Sequence, residues 1–173
     1  MTFQSKKSFF IRFSILFFWG ALWHFLYSWS GNNILVGMIA PVNESVFEHL
    51  KLLFFPCLFL TLTEYFLFSR KQKDFFCARL CGVLLGMLTI VAFFYTYSGI
   101  IGFHTLVLDL IDFALGVLVF LLVSQKMSDG RTICPRICLI LWVVAAAVMI
   151  ILTFYPPHIP LFRDPVTLLY GIA

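Results

Sequence analysis

The sequence predicts an all-α integral membrane protein: one domain over residues 1–173, built as a polytopic bundle of five transmembrane helices. Composition gives the first reason, because 62% of the residues are hydrophobic, only 12% are charged, and the mean hydropathy is +1.01. A soluble domain carries about 25% charged residues. The second reason is the length of the apolar runs, since a hydrocarbon core about 30 Å thick takes roughly 20 helical residues to cross. We therefore expect a multi-pass protein of the cell membrane, with the lipid bilayer as its first partner.

The five predicted spans follow one another with short polar turns between them. Residues 9–27 form the first span. Their apolar run resembles a signal peptide but continues without a small-residue cleavage site, so we expect it to remain as a membrane helix. Asn43 is the expected N-cap of the second, and Pro56 lies inside it and should kink it. The tail, residues 156–173, should be non-helical because its prolines remove backbone donors. The remaining spans are predicted at residues 43–69, 75–97, 103–124 and 133–155.

The basic residues predict the orientation of the bundle. Ten of the twelve lie before the first span, around the second-to-third turn and around the fourth-to-fifth turn. These three regions must share one side of the membrane, and the positive-inside rule makes that side cytoplasmic. The N-terminus is then cytoplasmic and the C-terminus extracytoplasmic. The net charge of +4 is explained by this collar and requires no nucleic-acid partner.

With this topology, most of the rare polar residues fall at the extracytoplasmic side. All four histidines lie there, together with most of the carboxylates. At 100° per residue, Glu44, Glu48 and Lys51 should share one helix face, and Asp109 and Asp112 another. A carboxylate within the hydrocarbon costs roughly 2.5 to 3.5 kcal/mol unless it faces the bundle and finds a partner. The sequence therefore predicts a His/carboxylate cluster at this side.

Such a cluster is typical of a metal site, with zinc or another divalent ion as the cofactor. The candidate ligands are three histidines and two aspartates: His24, His49, His104, Asp109 and Asp112. Glu44 or Glu48 is then the candidate catalytic base. Five further polar residues would support the cluster: Asn43, Lys51, His158, Arg163 and Asp164. For each residue a structural role, as a helix-terminal anion or a snorkelling cation, is an open alternative.

Two groups lie apart from this cluster. Glu64 is near the cytoplasmic end and is expected to pair with Arg70 or Lys71. The cysteines occur as two pairs spaced by four residues, Cys77/Cys81 and Cys134/Cys138. Four thiolates suit zinc or iron, but small apolar packing is the simpler interpretation, and disulfides are not expected on the cytoplasmic side.

Three strings carry a resemblance to a known family. These are WHFLY with WSGNN (residues 23–27 and 29–33), PVNESVFEHLKLLFFP (41–56) and YPPHIPLFRDP (155–165). The chain resembles a family of small bacterial membrane proteins of unknown function, found chiefly in Gram-positive anaerobes. The resemblance implies a cytoplasmic-membrane protein of about five helices and brings no established activity.

Three functions fit these observations. The first is a membrane-embedded metal-dependent hydrolase, which is loosely similar to ceramidase-type hydrolases although their HxxxH motif is absent here. The second is a transporter, channel or solute-binding subunit that uses the cluster as a polar vestibule and needs a homo-oligomer or another membrane protein. The third is an assembly or interaction factor. No nucleotide-binding glycine pattern, serine-nucleophile motif or haem-attachment motif occurs in the chain.

Overall fold

The computed structural model of the protein describes residues 6–69, 74–127 and 135–172. In these ranges the chain is helical, and the all-α prediction is confirmed for them. The helices are α1 (Lys6–Trp23), α2 (Leu26–Trp29), α3 (Ile34–Gly37), α4 (Val46–Glu64), α5 (Phe75–Ile101), α6 (Leu106–Met127) and α7 (Pro135–Phe154). A π-helical segment, Tyr65–Ser69, extends α4, and a 3-10 turn, Pro160–Phe162, lies in the tail.

Four helical segments are long and apolar enough to cross a membrane: Val46–Leu67, Phe75–Ile101, Leu106–Met127 and Arg136–Phe154. Their outer faces are apolar, as Ile140 (61% exposed) and Val143 (65% exposed) illustrate on α7. These properties point to a membrane protein. The first helix, α1, is 18 residues long, carries three basic residues and is not among the four. The fifth span and the orientation therefore remain predictions.

The start of α4 differs from its predicted position, and this changes where Glu44 lies. The prediction that Asn43 caps this helix is wrong: the Ser45 hydroxyl accepts a hydrogen bond from the Glu48 backbone N–H and is the N-cap. Ser45 is the N-cap because its backbone is extended, the conformation that this position requires. The Asn43 side chain instead closes the preceding turn, where its Oδ1 atom accepts a hydrogen bond from the Ser45 N–H. Glu44 thus precedes the helix and shares no helix face with Glu48 and Lys51.

Many of the polar contacts lie at one end of the bundle, which we call the site end. There α1, α5 and α7 finish, while α4 and α6 begin. Contacts from Thr153 to Glu48 and from Tyr97 to Asp109 join these termini to one another. The site end is therefore built from five helix termini and the loops between them.

Helices α5 and α6 meet along a seam of glycines. A Cβ atom added at Gly86 would lie 2.7 Å from the Gly116 carbonyl oxygen, and one added at Gly82 would lie 2.7 Å from the Phe120 carbonyl oxygen. Gly82 and Gly86 are four residues apart, the spacing that lets helix backbones approach closely in membranes. Side chains at these positions would force the two helices apart.

A third close approach involves Pro56, which lies within α4 and cannot donate to the Leu52 carbonyl. Gly20 of α1 packs on that oxygen, since a Cβ atom there would come within 2.9 Å of it. The absence of a side chain at Gly20 lets the α1 backbone cover a carbonyl that the proline leaves without an intrahelical donor.

A buried ion pair fixes the loop that leads into α4. Lys51 is 0% exposed and Glu48 is 2% exposed, and the Lys51 Nζ atom lies 2.7 Å from Glu48 Oε2. The ammonium also donates to the carbonyls of Gly37 (2.8 Å) and Ala40 (3.3 Å). Glu48 accepts from the Val42 N–H through Oε2 (3.0 Å) and from the Thr153 hydroxyl through Oε1 (3.0 Å). Each of these hydrogen bonds offsets part of the cost of burying the two charges.

The opposite end holds a second buried network, centred on Glu64. Its carboxylate pairs with Arg12 (2.7 Å) and with Arg79, whose guanidinium also lies over the rings of Phe75 and Phe120. The predicted partners Arg70 and Lys71 lie outside the described residues. The two arginines come from α1 and α5, which pack against α4, and this contact between helices is not revealed by spacing along the chain.

At the same end, Cys77 of α5 and Cys138 of α7 form a disulfide. The expectation that this side would hold no disulfide is wrong for this pair, because the packing of α5 on α7 brings together thiols 61 residues apart. Cys81 is a free thiol, and Cys134 lies outside the described residues. The observed disulfide therefore joins one cysteine from each of the two i, i+4 pairs that the sequence shows.

The tail folds back onto the start of α4. The rings of Phe47 and Phe162 lie 4.4 Å apart, and the Asn43 amide donates to the Gly171 carbonyl (2.8 Å). The tail is not wholly non-helical as expected, since Pro160–Phe162 forms a 3-10 turn; Pro160 occupies its first turn, where no donor is required. An isolated bridge joins Arg163 to Tyr170.

The glycine seam predicts that Gly86→Leu will destabilise the bundle, because the new side chain would collide with the Gly116 carbonyl and Leu53. We expect a loss of several kcal/mol or failure to fold, as overpacking of a rigid contact produces. Gly99→Leu in the same helix is the matched control, since open space surrounds that position. Thermal melts in detergent measure the stability of both variants. Equal melting temperatures would contradict the claim that the bundle depends on close packing of α5 against α6 at Gly86.

The buried ion pair predicts that Lys51→Met will cost about 3–5 kcal/mol, because it leaves the Glu48 charge buried without its cation. The double variant Glu48→Gln/Lys51→Met should recover part of that loss, since neither charge then remains. Melting temperatures of the parent, both single variants and the double variant form the test. A double variant less stable than Lys51→Met would contradict this interpretation.

Candidate functional site

Three side chains from separate segments meet at the site end, and we call them the triad: His24, Glu44 and His49. Their Nε2, Oε2 and Nε2 atoms form a nearly equilateral triangle. The two imidazole nitrogens are 3.2 Å apart, and each lies 3.4 Å from the Glu44 oxygen. Three potential ligand atoms therefore face a common point.

His49 is oriented by a backbone contact within its own helix. Its Nδ1 atom lies 2.9 Å from the Ser45 carbonyl oxygen, which can only accept a hydrogen bond. The proton of a neutral imidazole must then lie on Nδ1, and Nε2 carries a lone pair. A ligating histidine is commonly fixed by a contact of this kind, made by its other nitrogen.

His24 and Glu44 reach the same point from outside the long helices. His24 follows directly after α1, and its backbone N–H donates to the Gly20 carbonyl (3.3 Å). Glu44 lies in the loop before α4, between Asn43, tied to the tail, and Ser45, the N-cap. The loop is fixed further by the Val42 N–H bond to Glu48. The fold thus holds Glu44 in place from both sides.

In the metal-free protein, hydrogen bonds donated by His24 and, when its ring is protonated on both nitrogens, by His49 hold the pKa of the Glu44 carboxyl well below its usual range. Partial burial acts in the opposite direction and is outweighed. Glu44 is consequently an anion at neutral pH, and an anionic oxygen next to two imidazoles attracts a proton or a metal cation.

The triangle has the dimensions of one face of a zinc coordination tetrahedron. Ligand atoms about 2.0–2.1 Å from a tetrahedral zinc ion lie roughly 3.3–3.4 Å from one another. The triad edges of 3.2, 3.4 and 3.4 Å match this spacing. Two histidines and a glutamate are also a known ligand set of catalytic zinc sites, in which the fourth position is open.

The other predicted ligands form a separate cluster on α5 and α6. Asp109 accepts hydrogen bonds from the Tyr97 hydroxyl through Oδ1 and contacts His104 Nδ1 through Oδ2 (3.2 Å). Asp112 is one turn further along α6 and 3% exposed. The structure therefore divides the predicted ligand set into the triad and an Asp109-centred cluster.

A cavity of about 660 Å³ connects the two groups. Glu44 and His49 line it, and so do His104, Asp109 and Asp112. This volume lies within the range of small-molecule sites, which are about 300–1,000 Å³. The triad and the Asp109-centred cluster can therefore act on one molecule bound between them.

The predicted supporting residues have separate positions. Lys51 and Glu48 form the buried pair, and both Glu48 oxygens accept hydrogen bonds there. Asp164 closes its own turn, accepting from the Val166 N–H and the Thr167 hydroxyl. The His158 ring stacks on Tyr170 in the tail. Arg163 is exposed and lines the cavity.

Three residues that the sequence analysis did not single out also support the site. Ser45 orients His49, Tyr97 donates to Asp109, and Thr153 donates to Glu48. A signal existed for Tyr97, because it lies at the extracytoplasmic end of the third predicted span. Nothing in the sequence distinguishes Ser45 or Thr153 from other small hydroxyl residues in an apolar chain.

Comparisons with known proteins place the chain in a family but assign it no activity. Curated proteins and solved structures give no match to this sequence. A protein-family model described as a family of unknown function (DUF6512) matches residues 1–172. Because this match covers nearly the whole chain, the protein belongs to the DUF6512 family.

Proposed function

We propose that the protein is a membrane-embedded, metal-dependent hydrolase whose metal ion, with zinc the best fit, is bound by His24, Glu44 and His49. The geometry of the triad carries this proposal, since its three edges match the ligand spacing of a tetrahedral zinc site. The Nδ1 contact of His49 supports it further, because it leaves Nε2 free to act as a ligand.

The proposal includes five spans, a cytoplasmic N-terminus and an extracytoplasmic site end. The 18 residues of α1 span about 27 Å, close to the thickness of the hydrocarbon core. Its basic residues then lie at the cytoplasmic boundary, as the positive-inside rule requires. In this arrangement the triad lies near the extracytoplasmic surface, where water and a membrane-borne substrate both reach it.

A zinc ion with three protein ligands lowers the pKa of a bound water to about 7, and so supplies a nucleophile at neutral pH. We assign Glu44 as a ligand and Asp109 as the general base, which revises the roles expected from the sequence. Asp109 lines the same cavity and is oriented by Tyr97 and His104. Glu48 is left out because hydrogen bonds and Lys51 occupy both of its oxygens.

A second candidate function is proton-coupled transport. Asp112 favours it, because a carboxyl group that is 3% exposed within a membrane helix is typical of ion and proton pathways. The cavity would then be a vestibule, and the chain would need further copies of itself or another membrane protein to complete a path. Proton flux into vesicles that contain the purified protein would favour this candidate over the hydrolase.

The triad predicts about one metal ion per chain in purified protein, and a loss of at least tenfold in metal affinity in His24→Ala, Glu44→Gln and His49→Ala. Elemental analysis after dialysis against dilute zinc measures the stoichiometry. His158→Ala is the matched control, since that histidine contacts Tyr170 in the tail. His104→Ala should also retain the metal, because His104 contacts Asp109 and not the triad.

Two outcomes would contradict this assignment. Metal retained in a folded His49→Ala variant would exclude the triad as the binding site. Metal lost in His104→Ala, with the melting temperature unchanged, would move the site to the Asp109-centred cluster.

The lowered pKa of Glu44 predicts a pH-dependent difference in stability between the metal-free parent and Glu44→Gln. The carboxylate contributes its full stabilisation above its unfolded-state pKa of about 4.3, and loses it as the pH falls towards the lower folded-state value. The melting temperatures should therefore differ by their full amount above about pH 5 and converge progressively as the pH falls further. A difference that grows below pH 4 would contradict the predicted direction.

A further inference from the structure

The cavity beside the triad has a polar region at the site end and an apolar region deeper in the bundle. Glu44 and Asp109 line it at the helix termini, whereas Leu52, Phe113 and Ile90 line it further in. Leu52 is three residues past His49, about 4.5 Å deeper along α4. Ile90 is seven residues from Tyr97, about 10 Å deeper along α5. A molecule that fills the cavity must therefore be amphipathic.

One buried polar atom in the cavity wall lacks a partner. Asp112 is 3% exposed, and its Oδ1 atom has no hydrogen-bond partner within the described ranges 6–69, 74–127 and 135–172. A buried acceptor without a donor costs about 1–3 kcal/mol, and more when charged. Because Asp112 lines the cavity, a hydroxyl or amide N–H of a bound molecule can supply the missing donor.

A cation lies at the tail side of the same cavity. Arg163 lines it together with Pro165 and Val166. Within the described part of the chain, no carboxylate lies within ion-pair distance of the Arg163 guanidinium. Its fork of donors is suited to a phosphate or a carboxylate.

From the order of these features we propose that the cavity binds a single-chain acyl amphiphile with an anionic head and a hydrogen-bond donor at the junction of head and chain. The anionic head pairs with Arg163, the donor bonds to Asp112, and the acyl chain lies against Leu52, Ile90 and Phe113. Lysophospholipids and N-acyl amino acids share this chemistry. The inference rests on the proposed function in that it names the substrate class of the same site.

For the hydrolase, the acyl ester or amide then lies between the triad and Asp109. Water adds its oxygen to the acyl carbon, and the bond from that carbon to the head-group oxygen or nitrogen breaks. One water proton passes through Asp109 to the leaving oxygen or nitrogen. The products are a fatty acid and the free head group, and no oxidant or reductant is required.

The test measures binding in metal-free protein, so that it does not depend on the triad. Delipidated protein in nanodiscs is treated with EDTA and titrated with oleoyl lysophosphatidic acid, N-oleoyl glycine or neutral monooleoylglycerol, and native mass spectrometry counts the bound molecules. We expect one molecule per chain, with both anionic amphiphiles bound at least tenfold more tightly than the neutral one.

Variants assign each part of the ligand. Arg163→Gln should remove the preference for the anionic amphiphiles, whereas Arg136→Gln, which changes an exposed arginine at the opposite end, should not. Asp112→Leu should weaken binding of both anionic amphiphiles at least tenfold. Val166→Trp should block the cavity, while Leu169→Trp, at another exposed tail position that does not line the cavity, should leave binding unchanged.

Undiminished amphiphile binding by Val166→Trp would show that the cavity is not the binding site. An unchanged preference of Arg163→Gln for anionic over neutral amphiphiles would contradict the proposed pairing of Arg163 with an anionic head group. Binding of only one anionic amphiphile supports the proposal and identifies whether a phosphate or a carboxylate head is selected. Metal bound by the triad without any bound amphiphile overturns this inference alone. Amphiphile binding by a protein that never retains metal overturns the hydrolase alone.

Discussion

The buried ion pair between Glu48 and Lys51 is the constraint on which the site end depends. Alone, two charges in an apolar bundle would cost more than their attraction returns. Backbone carbonyls, a backbone N–H and the Thr153 hydroxyl complete their hydrogen bonds. These partners belong to the loop before α4 and to α7, so satisfying the charges also fixes the loop that carries Glu44. The stability of the bundle and the geometry of the triad thus share one cause.

The candidate metal site is held by a rigid frame. His49 is set by its own helix, His24 by the end of α1, and Glu44 by a loop anchored to both the ion pair and the tail. The three side chains are therefore already in position before a ligand binds. Preorganised ligands of this kind favour a metal over the competing protons, because the entropy of arranging them is lost during folding.

The sequence predicted the helical class and the membrane character because composition alone excludes a soluble domain. Because polar residues are rare in this chain, topology also pointed to side chains that lie at the site end, but it grouped as one ligand set residues that the structure divides between the triad and the Asp109-centred cluster. The sequence could not separate the role of Glu44 from that of Glu48. Glu44 faces two imidazoles, whereas the Glu48 carboxylate pairs with Lys51, and this difference follows from an N-cap that lies two residues later than predicted. The Cys77–Cys138 bond and the arginine partners of Glu64 depend on how helices pack across the bundle, which spacing along the chain does not encode.

The contact between Thr153 and Glu48 has a consequence for how the protein is made. The two residues are 105 positions apart, and α4 leaves the ribosome well before α7 does. At about 5–20 residues per second, Glu48 waits on the order of 5–20 seconds for its hydroxyl partner. During that interval Lys51 and the Val42 N–H can already satisfy Glu48 Oε2, while Oε1 lacks the Thr153 hydroxyl. The site end therefore matures only when the last helix enters the bilayer, which makes insertion of α7 the step that commits the chain to its functional form.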